Sequence, residues 1–106
     1  MISLRYTVRI SKRALLDLET IYDYIAQELS APKAAMDQYN RIADCIEKLE
    51  FFPNRIKLLE SEPERTLGIR KITVDHYSVF FVIKQDKVIV IRVLYSRSDI
   101  TKRLNQ

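Results

Sequence analysis

Residues 77–84, YSVFFVIK, and 87–95, KVIVIRVLY, are two β-strand candidates separated only by Gln85 and Asp86. Side chains alternate across a strand, and here both sides are apolar. Tyr77, Val79, Phe81 and Ile83 share one face of the first strand, while Phe80 and Val82 occupy the other. The second strand behaves the same way. An antiparallel sheet with one face in water shows alternation instead, so this hairpin calls for cover on both sides. The two-residue spacer predicts a short turn, although no glycine is present to favour a primed type. Residues 67–74, LGIRKITV, supply a third strand rich in β-branched residues.

What precedes these strands has a different period. In residues 4–10, Leu4, Tyr6, Val8 and Ile10 alternate with Arg5, Thr7 and Arg9, which reads as a half-buried strand. Ser11 then stands where an N-cap belongs. Ala14, Leu15, Leu18, Ile21, Tyr22, Ile25 and Leu29 recur at three- and four-residue steps, predicting a helix to about residue 29. Lys12, Arg13, Asp17, Glu19 and Asp23 fall outside that stripe. Pro32 suits the first turn of a second helix. Its stripe of Ala35, Tyr39, Ile42, Ile46 and Leu49 runs until FFPNR stops it at Pro53. Residues 54–66 are charged, contain Pro63 and show no period, so they read as a loop. The last dozen residues predict a short helix capped by Ser96 or Ser98. The order is β-α-α-β-β-β, an α+β fold with a helical hairpin packed on a small antiparallel sheet and one domain over 1–106. Two helices cover one face, a short tail is little to cover the other, and a further chain is expected there.

A chain of 106 residues buries roughly two-thirds of the surface its unfolded form exposes, so a proper core is expected. The single cysteine cannot form an internal disulfide, which fits a reducing compartment. Apolar runs such as Val88–Ile91 are too short to cross a bilayer. The opening MISLRYTVRI carries two arginines within an alternating pattern rather than a signal-peptide core. A cytoplasmic location without membrane association is expected. Charge is uneven: residues 1–51 hold seven Lys/Arg against eight Asp/Glu, whereas residues 52–106 hold eleven against six. A basic half suggests a polyanion or an acidic protein as partner, although a solvated basic face is the plainer reading of net charge alone.

Motifs for chemistry are sparse. One Cys, one His and scattered carboxylates give no metal-ligand spacing, and Gly68, the single glycine, rules out a phosphate loop. No cofactor is expected. Cys45 lies on the apolar stripe of the second helix and reads as a structural thiol rather than a nucleophile. His76 follows Asp75 between two strands; a turn histidine is the simpler reading, while an imidazole is also a residue type that suits a general base. Arg70 and Lys71 are adjacent, so at most one of them lines any given groove. Arg92 interrupts an apolar strand and requires a carboxylate, a terminus or a ligand as partner. A plain nucleic-acid-binding module would interleave stacking aromatics with basic residues on an open sheet. Here the neighbours of the aromatics are apolar.

These stretches, in this order, resemble the RelE/ParE superfamily of bacterial type II toxins. YTVRISKRALLDLETIYDYIAQELSAPKAA is similar to the family's opening strand and paired helices. GIRKITVDHYSVFFVI resembles its G-x-R strand and the Tyr-x-hydrophobic-aromatic strand after it. IRVLYSRSDITKRL resembles its closing strand and Arg-x-Asp tail. The resemblance implies a toxin held by a cognate antitoxin, forming a hetero-oligomer with it.

Two activities occur in that superfamily. RelE-like members cleave mRNA on the ribosome, and ParE-like members poison DNA gyrase. RNA cleavage through the 2′-hydroxyl needs a base, an acid for the leaving oxygen and cations for the developing charge. The resemblance puts cations on the second and third strands and near the end of the last, with a Tyr or a His-Tyr pair at the C-terminus. Here Ser78 and Thr73 stand at two of those cationic positions, and no Tyr or His follows Arg97. The candidates for such an endoribonuclease are Arg70, Lys71, His76, Tyr95 and Arg97. The ending RVLYSRSDI is closer to ParE-like members, so gyrase inhibition is the favoured reading, with no enzymatic activity of its own. Arg97, Lys102 and Arg103 are then the residues expected to contact the target.

Overall fold

The computed structural model describes residues 5–97 and Leu104. The elements are β1 (Thr7–Ile10), α1 (Lys12–Asp23), α2 (Pro32–Glu47), β2 (Arg70–Val74), β3 (Tyr77–Lys84) and β4 (Lys87–Tyr95). Ser11 starts α1 from an extended backbone. Its hydroxyl accepts the Ala14 N–H at 3.1 Å and donates to the Ile91 carbonyl at 3.2 Å. A cap of this kind contributes about 1 kcal/mol, and here it also fastens the helix to the sheet. Beyond Asp23 the helix widens into a π-helical turn over Tyr24–Glu28. Pro32 then opens α2, where its missing N–H costs nothing. The short helix expected over 99–104 lies outside the described residues, Leu104 excepted.

The helices pack on a four-stranded sheet of order β1-β4-β3-β2. It differs from the antiparallel sheet expected in one respect: β1 pairs parallel with β4, Thr7 to Lys87 through Ile10 to Val90. The path of the helical hairpin explains this. α1 climbs past the end of β1, and α2 brings the chain back to where β1 began. There the Tyr6 N–H donates to the Glu50 carbonyl at 2.8 Å and Arg5 bridges Phe51. β2 therefore sets off in the direction of β1. Two tight hairpins reverse the chain twice, so β4 is again parallel to β1. This order puts β4, the most apolar strand, inside the sheet with a neighbour on each edge.

Both faces of the central strands are buried, as their two-sided composition requires. On the helix side Val79, Phe81, Val88, Val90 and Val93 pack against Ala14, Leu18, Ile42, Ile46 and Leu49. On the far side Phe80, Leu94 and Ile69 are covered in part by Leu59 and Leu104. Alternation along β3 sends the neighbouring Phe80 and Phe81 rings, both fully buried, to opposite cores, and β4 takes up a register shift between their partners. Burying each contributes about 1.5–3 kcal/mol.

The partner that Arg92 requires is Asp17 of α1. The guanidinium Nε and one terminal nitrogen donate to the two carboxylate oxygens at 2.8 and 3.0 Å. Asp17 also accepts the Val93 N–H at 2.9 Å. β1 ends opposite Val90, so among the described residues no strand lies beside β4 further along that edge. Ser11 and Asp17 take the place of one. Their side chains satisfy backbone groups that would otherwise sit unpaired against a helix.

The β2–β3 turn, Asp75–His76, carries a second polar anchor. Asp75 adopts φ 55, a left-handed conformation that aspartate accepts more readily than most residues. Its carboxylate takes hydrogen bonds from Arg41 Nε at 2.8 Å and Gln38 Nε2 at 3.0 Å. The bond from Arg41, then that from Gln38, holds its pKa below the ordinary aspartate value. A depressed carboxylate pKa stabilises the fold above the unfolded value, and that contribution is lost as pH falls through the folded one. Asp75→Asn should therefore melt below the parent chain at pH 7, and the gap should close as pH drops below about 4. Thermal unfolding followed by circular dichroism across that range checks it.

Candidate functional site

Where α1 diverges from the sheet, a groove of about 450 Å³ opens between Thr20, Ile21 and Tyr24 on the helix and His76, Tyr77 and Val93–Tyr95 on the sheet. Asp17 also lines it. Tyr77 and Tyr95 are cross-strand partners with ring centroids 5.9 Å apart. Burial pushes the Tyr77 hydroxyl above its usual pKa, with the neighbouring Tyr24 and Tyr95 adding to the effect. Tyr77 is thus a neutral hydrogen-bond donor rather than a base. Rings with hydroxyl tips around an apolar cleft suit the binding of a side chain or a ring. The π-helical turn beginning at Tyr24 marks one wall, and such turns concentrate at functional sites.

The sequence-derived candidates do not share one surface. His76 and Tyr95 both line this groove. Arg70 lies at the start of β2 on the helix side, where its guanidinium donates to the carbonyls of Asn54 and Ile56 and so pins the loop before β2. Lys71 points the other way, exposed on the far face opposite Phe80. Arg97 is exposed in the turn after β4. Lys102 and Arg103 lie outside the described residues. Ser78, at a position where the resemblance puts a cation, is fully buried, and its hydroxyl meets that of Ser96 at 2.8 Å. Thr73 is exposed on the face that Lys71 shares.

Sequence reasoning missed Asp17, Tyr24 and Tyr77 as residues of the groove. The charge of Arg92 within an apolar strand was a signal that some acid must approach β4, but nothing local singled out Asp17 among the acids of α1. A second, smaller depression holds Cys45 among Arg41, Lys48 and Arg55. Burial raises the Cys45 pKa and outweighs the opposing pull of Lys48 and Arg55, so the sulfur stays a thiol. Among the described residues no group of three His, Cys, Asp or Glu side chains is placed to hold a metal. No helix among them is long and apolar enough to cross a membrane.

Solved structures that share the fold include two toxin–antitoxin systems. The chromosomal ParDE toxin–antitoxin system from P. aeruginosa aligns over 88% of this chain and 98% of its own, with 24% identity and a TM-score of 0.73. The RelBE2 toxin–antitoxin complex from Mycobacterium tuberculosis aligns over 86% of this chain and 98% of its own, with 21% identity and a TM-score of 0.61. No curated protein sequence matches. The family model that describes the ParE toxin of the type II toxin–antitoxin system parDE matches residues 8–100. That span runs from β1 through the helical hairpin and past the end of β4, and the chain belongs to the ParE toxin family of type II toxin–antitoxin systems.

Proposed function

We propose that this toxin arrests growth by inhibiting DNA gyrase and that a cognate antitoxin neutralises it. The observation that carries the reading is the dispersal of the groups RNA cleavage would need. Arg70 is engaged by the loop before β2, Lys71 lies on the opposite face from His76 and Tyr95, and Ser78 is buried where a phosphate-binding cation would stand. A base, an acid and cations must converge within hydrogen-bond reach of one phosphate to cleave RNA. The ParE family match supports the same direction. Arg97, Lys102 and Arg103 are the residues proposed to contact the target: Arg97 is exposed in the turn after β4, and Lys102 and Arg103 follow it in the basic end of the sequence.

His76 and Tyr95 in one groove favour the second reading, a ribosome-dependent mRNA endoribonuclease, because they bring an imidazole and a phenol to the same place. One comparison separates the two. Purified toxin should stall supercoiling by gyrase, and its expression should induce the DNA-damage response while leaving mRNA intact. Cuts within codons on translating ribosomes, with gyrase unaffected, would establish the endoribonuclease instead.

A further inference from the structure

The depression that holds Cys45 lies where the C-terminal half of α2 meets the loop before β2, with Ile72 and Val74 of β2 as its apolar side. Arg41, Lys48 and Arg55 line it. They outnumber the acids nearby, which are Asp44 on the wall and Asp75 beside Arg41. Both arginines are anchored by one edge and open at the other. Arg41 gives its Nε to Asp75 at 2.8 Å, and Arg55 gives one terminal nitrogen to the carbonyls of Phe51 and Phe52, each at 3.2 Å. Among the described residues their other guanidinium nitrogens donate to no acceptor, and Lys48 makes no ion pair. The backbone that carries Arg55 is held as well. Arg70 donates to the carbonyls of Asn54 and Ile56, on either side of it, and the Tyr6 hydroxyl donates to Asn54 Oδ1 at 3.0 Å.

We propose that this depression binds a phosphate monoester. The free edge of a guanidinium matches two phosphate oxygens at once, and an ammonium adds a compact charge. Arginines already fixed by one edge give up little further freedom when a ligand arrives, so less of the interaction is spent on ordering them. A monoester carries nearly two negative charges at neutral pH and three acceptor oxygens, which is what three cations can satisfy. A phosphodiester of a nucleic-acid backbone has one charge and two free oxygens, and suits the site less well. The cavity of about 320 Å³ has room beyond the phosphate for a small organic body, which would rest on Ile72 and Val74. The inference does not depend on whether gyrase or mRNA is the toxin's target.

Cys45, the single cysteine of the chain, reports on occupancy in the full-length protein. Lys48 and Arg55 pull its pKa down against the effect of burial. A dianion seated on them cancels that pull and covers the sulfur. Adenosine monophosphate should therefore slow alkylation of Cys45 by iodoacetamide severalfold and saturably, with amide chemical shifts moving together at Cys45, Lys48 and Arg55. Adenosine, sodium chloride at matched ionic strength and an oligothymidylate without a terminal phosphate serve as controls. Lys48→Gln, read against its own unprotected rate, should weaken binding about tenfold with an unchanged circular dichroism spectrum, since Lys48 is exposed. Arg55→Lys should weaken it as well, because the charge stays but the planar fork is lost. An unslowed reaction overturns the inference, as does equal protection by adenosine or chloride, or undiminished binding by Lys48→Gln. Protection by the oligothymidylate at a lower phosphate concentration would also overturn it and assign these cations to a nucleic-acid backbone.

Discussion

Asp17→Ala is expected to lose about 3–5 kcal/mol of folding stability, because it takes the Asp17 carboxylate away from the buried Arg92 guanidinium. The side chains of Arg92 and Asp17 are only 6% and 11% exposed, so water cannot replace the missing oxygens. The Val93 N–H loses its acceptor in the same step. Domains of this size are typically stable by about 5–15 kcal/mol, so the variant should stand close to unfolding at 37 °C. Urea titration should show a lowered midpoint with an unchanged slope. Asp17→Asn should fall between the two, since an amide oxygen can still accept from Val93 but carries no charge. The double replacement Asp17→Leu/Arg92→Met should recover much of the loss, as the buried charge disappears with its partner. Recovery should be incomplete by about 1–3 kcal/mol, the cost of the orphaned Val93 N–H. If Asp17→Ala unfolds at the same urea concentration as the parent, the pair does not hold α1 to β4.

Removing the basic side chains of the tail, Arg97→Ala/Lys102→Ala/Arg103→Ala, is expected to abolish growth arrest while leaving the melting temperature and antitoxin binding unchanged. Arg97 is exposed and makes no ion pair among the described residues, so its loss breaks no ion pair among them. A simple truncation from Thr101 would confuse two effects. Leu104 packs against the far-side core of Ile69, Phe80 and Leu94, and a truncation removes that cover along with the charge. Leu104→Ala isolates the structural part and should lower stability by about 2 kcal/mol or less, given that the residue is only half-buried. Growth arrest on induction without antitoxin, read beside thermal unfolding, separates the contributions. Undiminished arrest in the triple variant would leave the tail with a structural role alone.

The periods along the chain were enough to recover the elements themselves. Ser11 as cap, the two helical stripes, Pro32 at the start of α2 and the strands around Gln85–Asp86 all depend on residues within a few positions of each other. The need for cover on both faces of β3 and β4 was legible for the same reason, since alternation along a strand is local. The direction of β1 was not. Its pairing with β4 depends on where the helical hairpin returns the chain, a property of the packed whole. The same limit applies to Arg92. Its residue type and apolar setting demanded a counter-charge, but Asp17 is 75 positions away and became that counter-charge because β1 stops at Ile10 and α1 crosses the exposed edge of β4. Tyr24 comes from the π-helical turn after α1, His76 and Tyr77 from the β2–β3 hairpin and Tyr95 from the end of β4, and packing brings them to the groove they share. Short-range patterning specifies which segments become helix or strand and which faces must be buried; pairing direction, ion-pair partners and clefts are set by contacts between residues far apart in the chain, because their free energy appears only when the elements pack.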